Sequence, residues 1–500
     1  MKSKKPKSWS MCVDVNQDGG AGTGREAAEM NRRFPDKTAM NQWIRAYLQR
    51  KRRKGPVVFL DSQLEGHAAS EIGYIASDPQ SVIRGRTDES TSRNLWDELE
   101  AYRQDQRDWL FGWLGYDLKN DLEELRSSNP DPIGLPDLFF FVPAVVIAVN
   151  RAQLTVTVLK GGRSELFCVD DPAVRQDENS RQNATGYQNS AVFQDPAGRR
   201  DPVPQHESRF HEASPTGNTG GPFVTGPLKS GDGWEAYRDK VSRVIAYIAR
   251  GDTYEVNLTH QLQSDFHGDS LDLFDAMRES GPVPFGAWIH CDEDTEICCA
   301  SPERFLQLKD GVIRSQPIKG TSPRGETRSD DERIVSEILH REKNRAENVM
   351  IVDLVRHDLG RIAKTGTVRT DALLEVQTFA TVHQLVSTIS AVPKKGLSPV
   401  DMIRACFPMG SMTGAPKIRT MQIIEELESY RRGLYSGAIG YITPKGEFDF
   451  NVVIRTAIIK NGRLFYSVGG AITADSDPAE EWEESWLKSR ALTDAGKNTR

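Results

Sequence analysis

The sequence predicts a fold that mixes helices with paired strands, and it disfavours a doubly wound nucleotide-binding fold. Strand-like apolar runs follow one another without the regular helical crossovers that a parallel sheet requires. The apolar runs at 143–149 and 154–158 are separated by a short polar stretch, a spacing typical of a β-hairpin. No Gly-x-Gly-x-x-Gly loop occurs in the chain.

Length and charge narrow the class of protein. The 500 residues carry 64 Lys and Arg against 71 Asp and Glu, a formal net charge of -7, which disfavours a broad nucleic-acid surface. Six scattered cysteines without zinc-ligand spacing predict reduced thiols and a cytoplasmic protein. No apolar run approaches the roughly 20 residues of a membrane span, and no secretory signal is recognisable. We therefore expect neither a nucleic-acid nor a membrane partner.

Composition divides the chain into four regions. Residues 1–35 are predicted to be a loose tail, and 36–168 an N-terminal region of alternating strands and helices. Residues 169–228 are dense in polar residues, Pro and Gly, and cannot bury enough apolar surface to offset their ordering entropy, so they are predicted to be a disordered insertion or linker. Residues 229–496 carry the motifs described next, and apolar residues at helical spacing predict a helix over 236–249.

Two residues could carry proton or nucleophile chemistry. Lys319 ends a strand-like segment in Pro-Ile-Lys-Gly-Thr, and a lysine there could act as a neutral nucleophile if burial or a nearby cation lowers its pKa. Glu303 lies sixteen residues earlier and could donate or accept a proton. Taken singly, each residue type more often has another role, Lys319 as a surface charge and Glu303 as half of a surface ion pair with an arginine.

Three acids could bind a cation. Glu347 falls in a helix predicted over 330–357, and Glu481 and Glu484 share one face of a helix predicted to start after Asp477-Pro478. Carboxylates from two helices could hold one Mg²⁺ and leave positions for water and a substrate carboxylate. The alternative is that acids in a first helical turn only complement the helix dipole.

Several features suit a small dianion. The small-residue loop 410–417 leads into a helix, and 469–471 offers further approachable amides. Arg455 lies in the strand-like run 452–456, where a charge is costly unless it is paired with an acid or an anionic ligand.

Taken together, these stretches resemble the chorismate-utilising enzymes, a family that includes anthranilate synthase, aminodeoxychorismate synthase, and the isochorismate and salicylate synthases. The resemblance covers roughly residues 230–495. The motifs that carry it lie at 251–258, 301–305, 317–321, 346–354, 410–417, 435–441, 454–456 and 469–477. It implies an α+β fold of two large, mostly antiparallel sheets packed face to face, with helices outside.

The branch of the family is indicated by a few positions. Lysine in Pro-Ile-Lys-Gly-Thr resembles the aminodeoxychorismate synthases, whereas anthranilate synthases usually have alanine there. Gln384 stands where anthranilate synthases usually have a histidine associated with pyruvate elimination. The resemblance implies an enzyme that makes 4-amino-4-deoxychorismate from chorismate and ammonia. Anthranilate synthase component I, or a catalytically silent tryptophan-binding scaffold, remain the alternatives.

The resemblance also implies roles for individual residues. Lys319 would attack the ring of chorismate, with Glu303 as general acid. Mg²⁺ would be held by Glu347 and Glu484 with help from Glu481. The residues expected to bind the substrate are Tyr435, Arg455, Thr321, Gly414, Ala415, Gly469, Gly470 and Lys488. Because the chain has no Gly-x-Cys-x-Gly loop, ammonia is expected from a separate glutamine amidotransferase subunit.

The N-terminal half resembles the family more weakly. Residues 59–62, ending in Ser62, fall where some relatives have a tryptophan-binding element, and 282–285, with Pro284 and Phe285, resemble the other wall of that pocket. A plain buried strand explains residues 59–62 equally well.

Overall fold

The structure, a computed structural model, describes residues 30–62, 72–88, 94–167, 223–379 and 382–494. Most of the predicted tail and nearly all of the predicted insertion lie outside these residues. The helices are α1 Lys37–Lys51, α2 Leu95–Gln106, α3 Trp234–Ala249, α4 Ser270–Ser280, α5 Arg328–His340, α6 Glu342–Ile362, α7 Pro399–Cys406, α8 Lys417–Leu427, α9 Pro478–Leu487 and α10 Arg490–Thr493.

The strands of the described residues pair antiparallel throughout. Their bounds are β1 Asn31–Arg33, β2 Val57–Asp61, β3 Gly73–Gly85, β4 Leu110–Leu114, β5 Leu138–Asn150, β6 Thr155–Lys160, β7 Phe223–Thr225, β8 Lys229–Ser230, β9 Glu255–Gly268, β10 Phe285–Asp292, β11 Thr295–Ser301, β12 Arg304–Lys309, β13 Val312–Gln316, β14 Ile318–Pro323, β15 Arg369–Thr378, β16 Val382–Ala391, β17 Gly414–Ala415, β18 Ala438–Ile442, β19 Phe448–Asn451, β20 Thr456–Lys460 and β21 Arg463–Ile472.

The strands form two sheets, and the long strand β5 takes part in each of them. One sheet runs in the order β6-β5-β3-β2-β10-β11-β20-β21-β9, and the other in the order β5-β4-β18-β19-β12-β13-β16, with β14 and β15 beside β16. The predicted hairpin is present as β5 and β6, with Ala148 opposite Thr157. Because β2 pairs with β10 and β4 pairs with β18, the N-terminal and C-terminal halves of the chain build each sheet together.

An apolar core lies between the two sheets. It includes Ile297 and Phe465 from one sheet and Trp113 and Phe139 from the other, the last two rings being stacked with centroids 4.3 Å apart. Alternate residues of β5 face this core, and those between them, such as Phe140, face the outer helices, which is why 138–142 is apolar without interruption. Two antiparallel sheets packed face to face with helices outside are therefore confirmed.

Three local predictions are corrected. The single helix expected over 330–357 is two helices, α5 and α6, because Arg341 between them is extended with ψ 116°. No Pro or Gly marks this break in the sequence.

Strands β1 and β7 lie inside segments predicted to lack order. Strand β1 pairs with β6, and β7 pairs with β9. Such short edge pairings are made by backbone groups, so composition did not reveal them.

Candidate functional site

Lys319 and Glu255 form a buried ion pair. Lys319 lies on β14 and is 8% exposed, and its Nζ donates a hydrogen bond of 2.7 Å to Oε1 of Glu255, the first residue of β9. The second carboxylate oxygen of Glu255 is buried without a hydrogen-bond partner in the described residues. Lys319 is thus buried, as we expected of a nucleophile, and its amine is paired with a carboxylate.

The charge state of Lys319 differs from the expectation. Burial disfavours the ammonium, but the carboxylates of Glu255, Glu347 and Glu303 outweigh it and raise the pKa of Lys319 above its usual range. The condition for a neutral lysine, a lowered pKa, is therefore not met by these side chains. The amine must give up a proton before it can attack.

Glu303 is suited to proton donation. It lies between β11 and β12 and is buried, and burial raises its pKa to about 7. A hydrogen bond of 2.6 Å from the Ser411 hydroxyl to Oε1 and the positive charge of Lys319 oppose that rise. A carboxyl with this pKa is substantially protonated at neutral pH, which is what a general acid needs.

Two of the three predicted cation ligands lie on either side of a lysine, and the third pairs with another lysine. Glu347 on α6 and Glu481 on α9 are buried, and Nζ of Lys343 lies 2.6 Å from Oε1 of Glu481 and 4.0 Å from Oε1 of Glu347. Glu484, one turn along α9, is exposed and pairs with Lys488 at 2.9 Å. The structure therefore brings α6 and α9 together, with an ammonium between their acids.

This cluster has the donor chemistry that Mg²⁺ prefers. The Oε2 atom of Glu481 is buried with no hydrogen-bond partner among the described residues. Burial, together with the negative charges of Glu255 and Glu484, raises the pKa of Glu347 to about 7, with Lys319 and Lys343 opposing the rise. Among the described residues, no three acid, His or Cys side chains are spaced as ligands of one ion. The carboxylates nevertheless fit an oxygen-liganded cation that takes the position of the ammonium.

Gly470 gives the acids room. A side-chain carbon at this position would lie 3.3 Å from Oε2 of Glu481 and 3.7 Å from Oε1 of Glu484. Nζ of Lys488 donates to the carbonyl of the neighbouring Gly469 at 2.8 Å. Both glycines and Lys488 thus line the same side of the acidic cluster.

Gly414 cannot be replaced without a backbone clash. Its φ is +136°, and a Cβ there would lie 2.0 Å from the carbonyl oxygen of Glu255. Ala415 is opposite Glu255 in the β17–β9 pair, so this loop packs directly on β9, the strand whose Glu255 accepts the hydrogen bond from Lys319. Thr321 is exposed on β14, opposite Gln384 of β16.

Arg455 has an unmatched charge. It lies between β19 and β20 rather than within a strand as predicted, and its φ of 49° is left-handed. Within the described part of the chain, its guanidinium makes no hydrogen bond or ion pair. Burial lowers the pKa of Arg455, with Tyr466 and Glu303 opposing the change. Tyr435, which is buried just before β18, and Arg455 both interact electrostatically with Tyr466, so both predicted carboxylate-binding residues lie within electrostatic range of that ring.

Sequence reasoning missed three residues of this site. Glu255 is an acid inside the motif 251–258, and its place in that motif is a signal that could have been noticed. Lys343 is four residues before Glu347 on the same helix, a spacing that predicts contact. Ser411 had no distinguishing signal beyond its small-residue loop.

The residues of the suggested tryptophan pocket gather at another place. Ser62 follows β2, Phe285 begins β10, and these strands pair with Asp61 opposite Gly286. The hydroxyl of Ser62 is buried without a partner among the described residues, and Pro284 is buried beside Phe285. Whether tryptophan binds there stays a prediction.

Comparison with known proteins adds the following. A sequence profile described as chorismate binding enzyme matches residues 55–494. The chain is 48% identical over 270 residues to the aminodeoxychorismate synthase of Streptomyces griseus, a match that spans 54% of this chain and 37% of that longer protein. It is 35% identical over 377 residues to aminodeoxychorismate synthase component 1 of Klebsiella aerogenes, covering 75% of this chain and 74% of the relative.

A solved structure has the same fold. Anthranilate synthase component I from Streptococcus pneumoniae superimposes with a TM-score of 0.66 at 25% identity, covering 87% of this chain and 94% of that one. No helix in the described ranges is long and apolar enough to cross a membrane.

Proposed function

Because the chain belongs to the chorismate binding enzyme family, we propose that it is the component that aminates chorismate in an aminodeoxychorismate synthase. It would convert chorismate and ammonia to 4-amino-4-deoxychorismate. The observation that carries this proposal is the buried Lys319 amine, flanked by Glu255 and Glu303 and close to the acids of α6 and α9. The relatives from Streptomyces and Klebsiella, named for this activity, support it.

The chain's own residues divide the work. Lys319 passes a proton to Glu255, 2.7 Å away, and its neutral amine attacks ring C2 of chorismate. The C4 hydroxyl leaves as water after taking a proton from Glu303. The N–C2 bond forms and both ring double bonds shift as the C4–O bond breaks. Ammonia then adds at C4, both double bonds shift back, and the N–C2 bond breaks. Lys319 leaves as the amine and takes back the proton from Glu255, and the new C4 ammonium returns a proton to Glu303. Arg455 and Tyr435 hold the enolpyruvyl carboxylate.

Magnesium fits this scheme as a cofactor. Glu347, Glu481 and Glu484 would hold it against the ring carboxylate, where it would withdraw electrons from the ring and make C2 a better acceptor. The partnerless Oε2 of Glu481 supports this assignment. Gly470 leaves the space that the metal and the carboxylate need.

Gln384 supports the proposed branch over anthranilate synthase. Its side chain is buried on β16 opposite Thr321, and its Oε1 has no hydrogen-bond partner among the described residues. A neutral amide cannot accept the proton that pyruvate elimination releases, whereas a histidine can. The product is therefore expected to keep its pyruvyl group.

Partner and location are also proposals. Ammonia would come from a separate glutamine amidotransferase subunit, as the component 1 naming of the Klebsiella relative suggests. The cysteines in the described residues, including the adjacent Cys298 and Cys299, are free, which supports a reducing cytoplasm.

The test is a product assay with chorismate, Mg²⁺ and ammonium, with and without a lyase that forms 4-aminobenzoate. Mass spectrometry should detect 4-amino-4-deoxychorismate without the lyase and 4-aminobenzoate with it, and the Lys319→Ala variant should form neither product nor protein adduct. Fluorescent anthranilate forming without the lyase would instead identify anthranilate synthase. No product and no thermal stabilisation by chorismate with Mg²⁺ would indicate a silent scaffold.

Tryptophan binding is tested separately. Calorimetry with tryptophan should give heat in the wild type and less in a Ser62→Ala variant if Ser62, Pro284 and Phe285 form a pocket. Absence of both heat and thermal shift would remove the idea.

A further inference from the structure

We propose that Lys343 is a displaceable counter-ion, which fills the cation position of the acidic cluster until a divalent cation binds and then swings out to solvent. The inference rests on the proposed function, because it takes Glu347, Glu481 and Glu484 as the cation ligands. It goes further in assigning to Lys343 control over how tightly the protein binds its metal.

The position of Lys343 is that of a stand-in cation. Its Nζ lies 2.6 Å from Oε1 of Glu481 and 4.0 Å from Oε1 of Glu347, and thus joins acids from α9 and α6. Glu481 is 2% exposed, so a carboxylate there requires a positive neighbour in the protein without metal. Ser476 donates a second hydrogen bond of 2.7 Å to the same oxygen, Oε1.

The ammonium of Lys343 contacts only some of the carboxylate oxygens of the acidic cluster. The Oε2 atom of Glu481 is buried with no partner among the described residues, although it faces the space above Gly470. A divalent cation carries twice the charge and can contact several oxygens at once. Lysine therefore holds the cluster together without matching it as well as a metal ion would.

Lys343 can leave without disturbing the fold. Its side chain is 32% exposed, whereas that of Glu481 is 2% exposed, so the lysine lies at the opening and the acid lies inside. A flexible four-carbon stem allows the ammonium to move into water while α6 stays fixed. Metal entry then requires Lys343 to give up its short contact with Glu481 and its longer contact with Glu347, and it requires no backbone motion.

The test compares Lys343→Met with the wild type and with a control variant, Lys160→Met. Lys160 is on β6, and its replacement removes a partly exposed ion pair with Asp108. Binding of Mn²⁺ is followed without substrate through the electron paramagnetic resonance signal of the free ion. We expect Lys343→Met to bind Mn²⁺ about tenfold more tightly, because the metal no longer has to displace the ammonium. A tenfold change in affinity corresponds to about 1.4 kcal/mol. Lys160→Met should match the wild type.

Thermal melting gives an independent signature. Without metal, Lys343→Met should melt below the wild type because buried Glu481 is left unpaired. Added Mg²⁺ should raise its melting temperature by more than it raises that of the wild type. Lys160→Met should show the wild-type response to Mg²⁺.

The outcomes separate this inference from the proposed function. Equal or weaker Mn²⁺ binding by Lys343→Met, or a melting defect of the same size with and without Mg²⁺, would make Lys343 a structural clamp and overturn the proposal. No Mn²⁺ binding by the wild type would overturn the metal site as well, while product formation from chorismate is read independently. If Lys343→Met does not fold, Lys343→Arg carries the test: a guanidinium that pairs bidentately with Glu481 should weaken Mn²⁺ binding, and unchanged binding would overturn the proposal.

Discussion

Replacing Glu255 by Gln should lower the pKa of Lys319. Glutamine keeps the shape and an acceptor oxygen for the 2.7 Å contact but removes the charge that most strongly favours the ammonium. At that distance and an effective dielectric of about 20, the gross attraction is on the order of 6 kcal/mol. Relaxation and the remaining charges of Glu347 and Glu303 leave only a part of this attraction as the net change, and the pKa of Lys319 falls.

The sign follows from which form the carboxylate stabilises. Without Glu255 the ammonium loses stabilisation, so the neutral amine is populated at lower pH than in the wild type. Reductive methylation with formaldehyde and cyanoborohydride, quantified on the Lys319 peptide by mass spectrometry across pH, measures this directly. The midpoint of labelling should move to lower pH in Glu255→Gln.

A matched control is Glu426→Gln, because Glu426 is an exposed acid that pairs with Arg243 and Tyr247 at the surface. Its Lys319 labelling profile should equal that of the wild type. A midpoint in Glu255→Gln that stays unchanged or moves to higher pH would refute the electrostatic reasoning.

Three further changes have defined outcomes. Glu303→Gln should slow amination by about 10²–10⁴-fold with little change in chorismate affinity. The wild-type rate should decline above pH 7, because Glu303, whose pKa is about 7, then ionises. An unchanged rate in the variant would exclude Glu303 as the proton donor. Burial lowers the pKa of His260 to about 4, so its contribution to stability is present above pH 6.5 and is lost as pH falls towards 4. Urea unfolding should show a loss of about 3 kcal/mol over that window, absent in His260→Gln, and an equal loss in both proteins would contradict this. Gly414→Ala should lose about 1–3 kcal/mol of unfolding free energy and most activity, because its Cβ would meet the Glu255 carbonyl. A variant as stable as the wild type would contradict this contact.

Much of the framework was predictable from local sequence. Apolar runs such as 57–60 became strands, and Asp477 caps α9 with Pro478 in its first turn, as the helix-start signal predicted. Candidate residues were predictable where a charge interrupts an apolar pattern or follows a motif, as at Glu303 and Lys319. These signals are local because they depend on the periodicity of burial along one element.

The sequence by itself determined the family, the strand and helix pattern, and which side chains could do chemistry, since ordered motifs and burial periodicity are written along the chain. Only the tertiary structure decided the charge state of Lys319, because Glu255 is 64 residues away and Coulomb energy depends on a distance that the fold sets. The same holds for Lys343, whose partner Glu481 is on a helix 138 residues away. Pairing between distant segments leaves no local pattern, so only the folded structure reveals it.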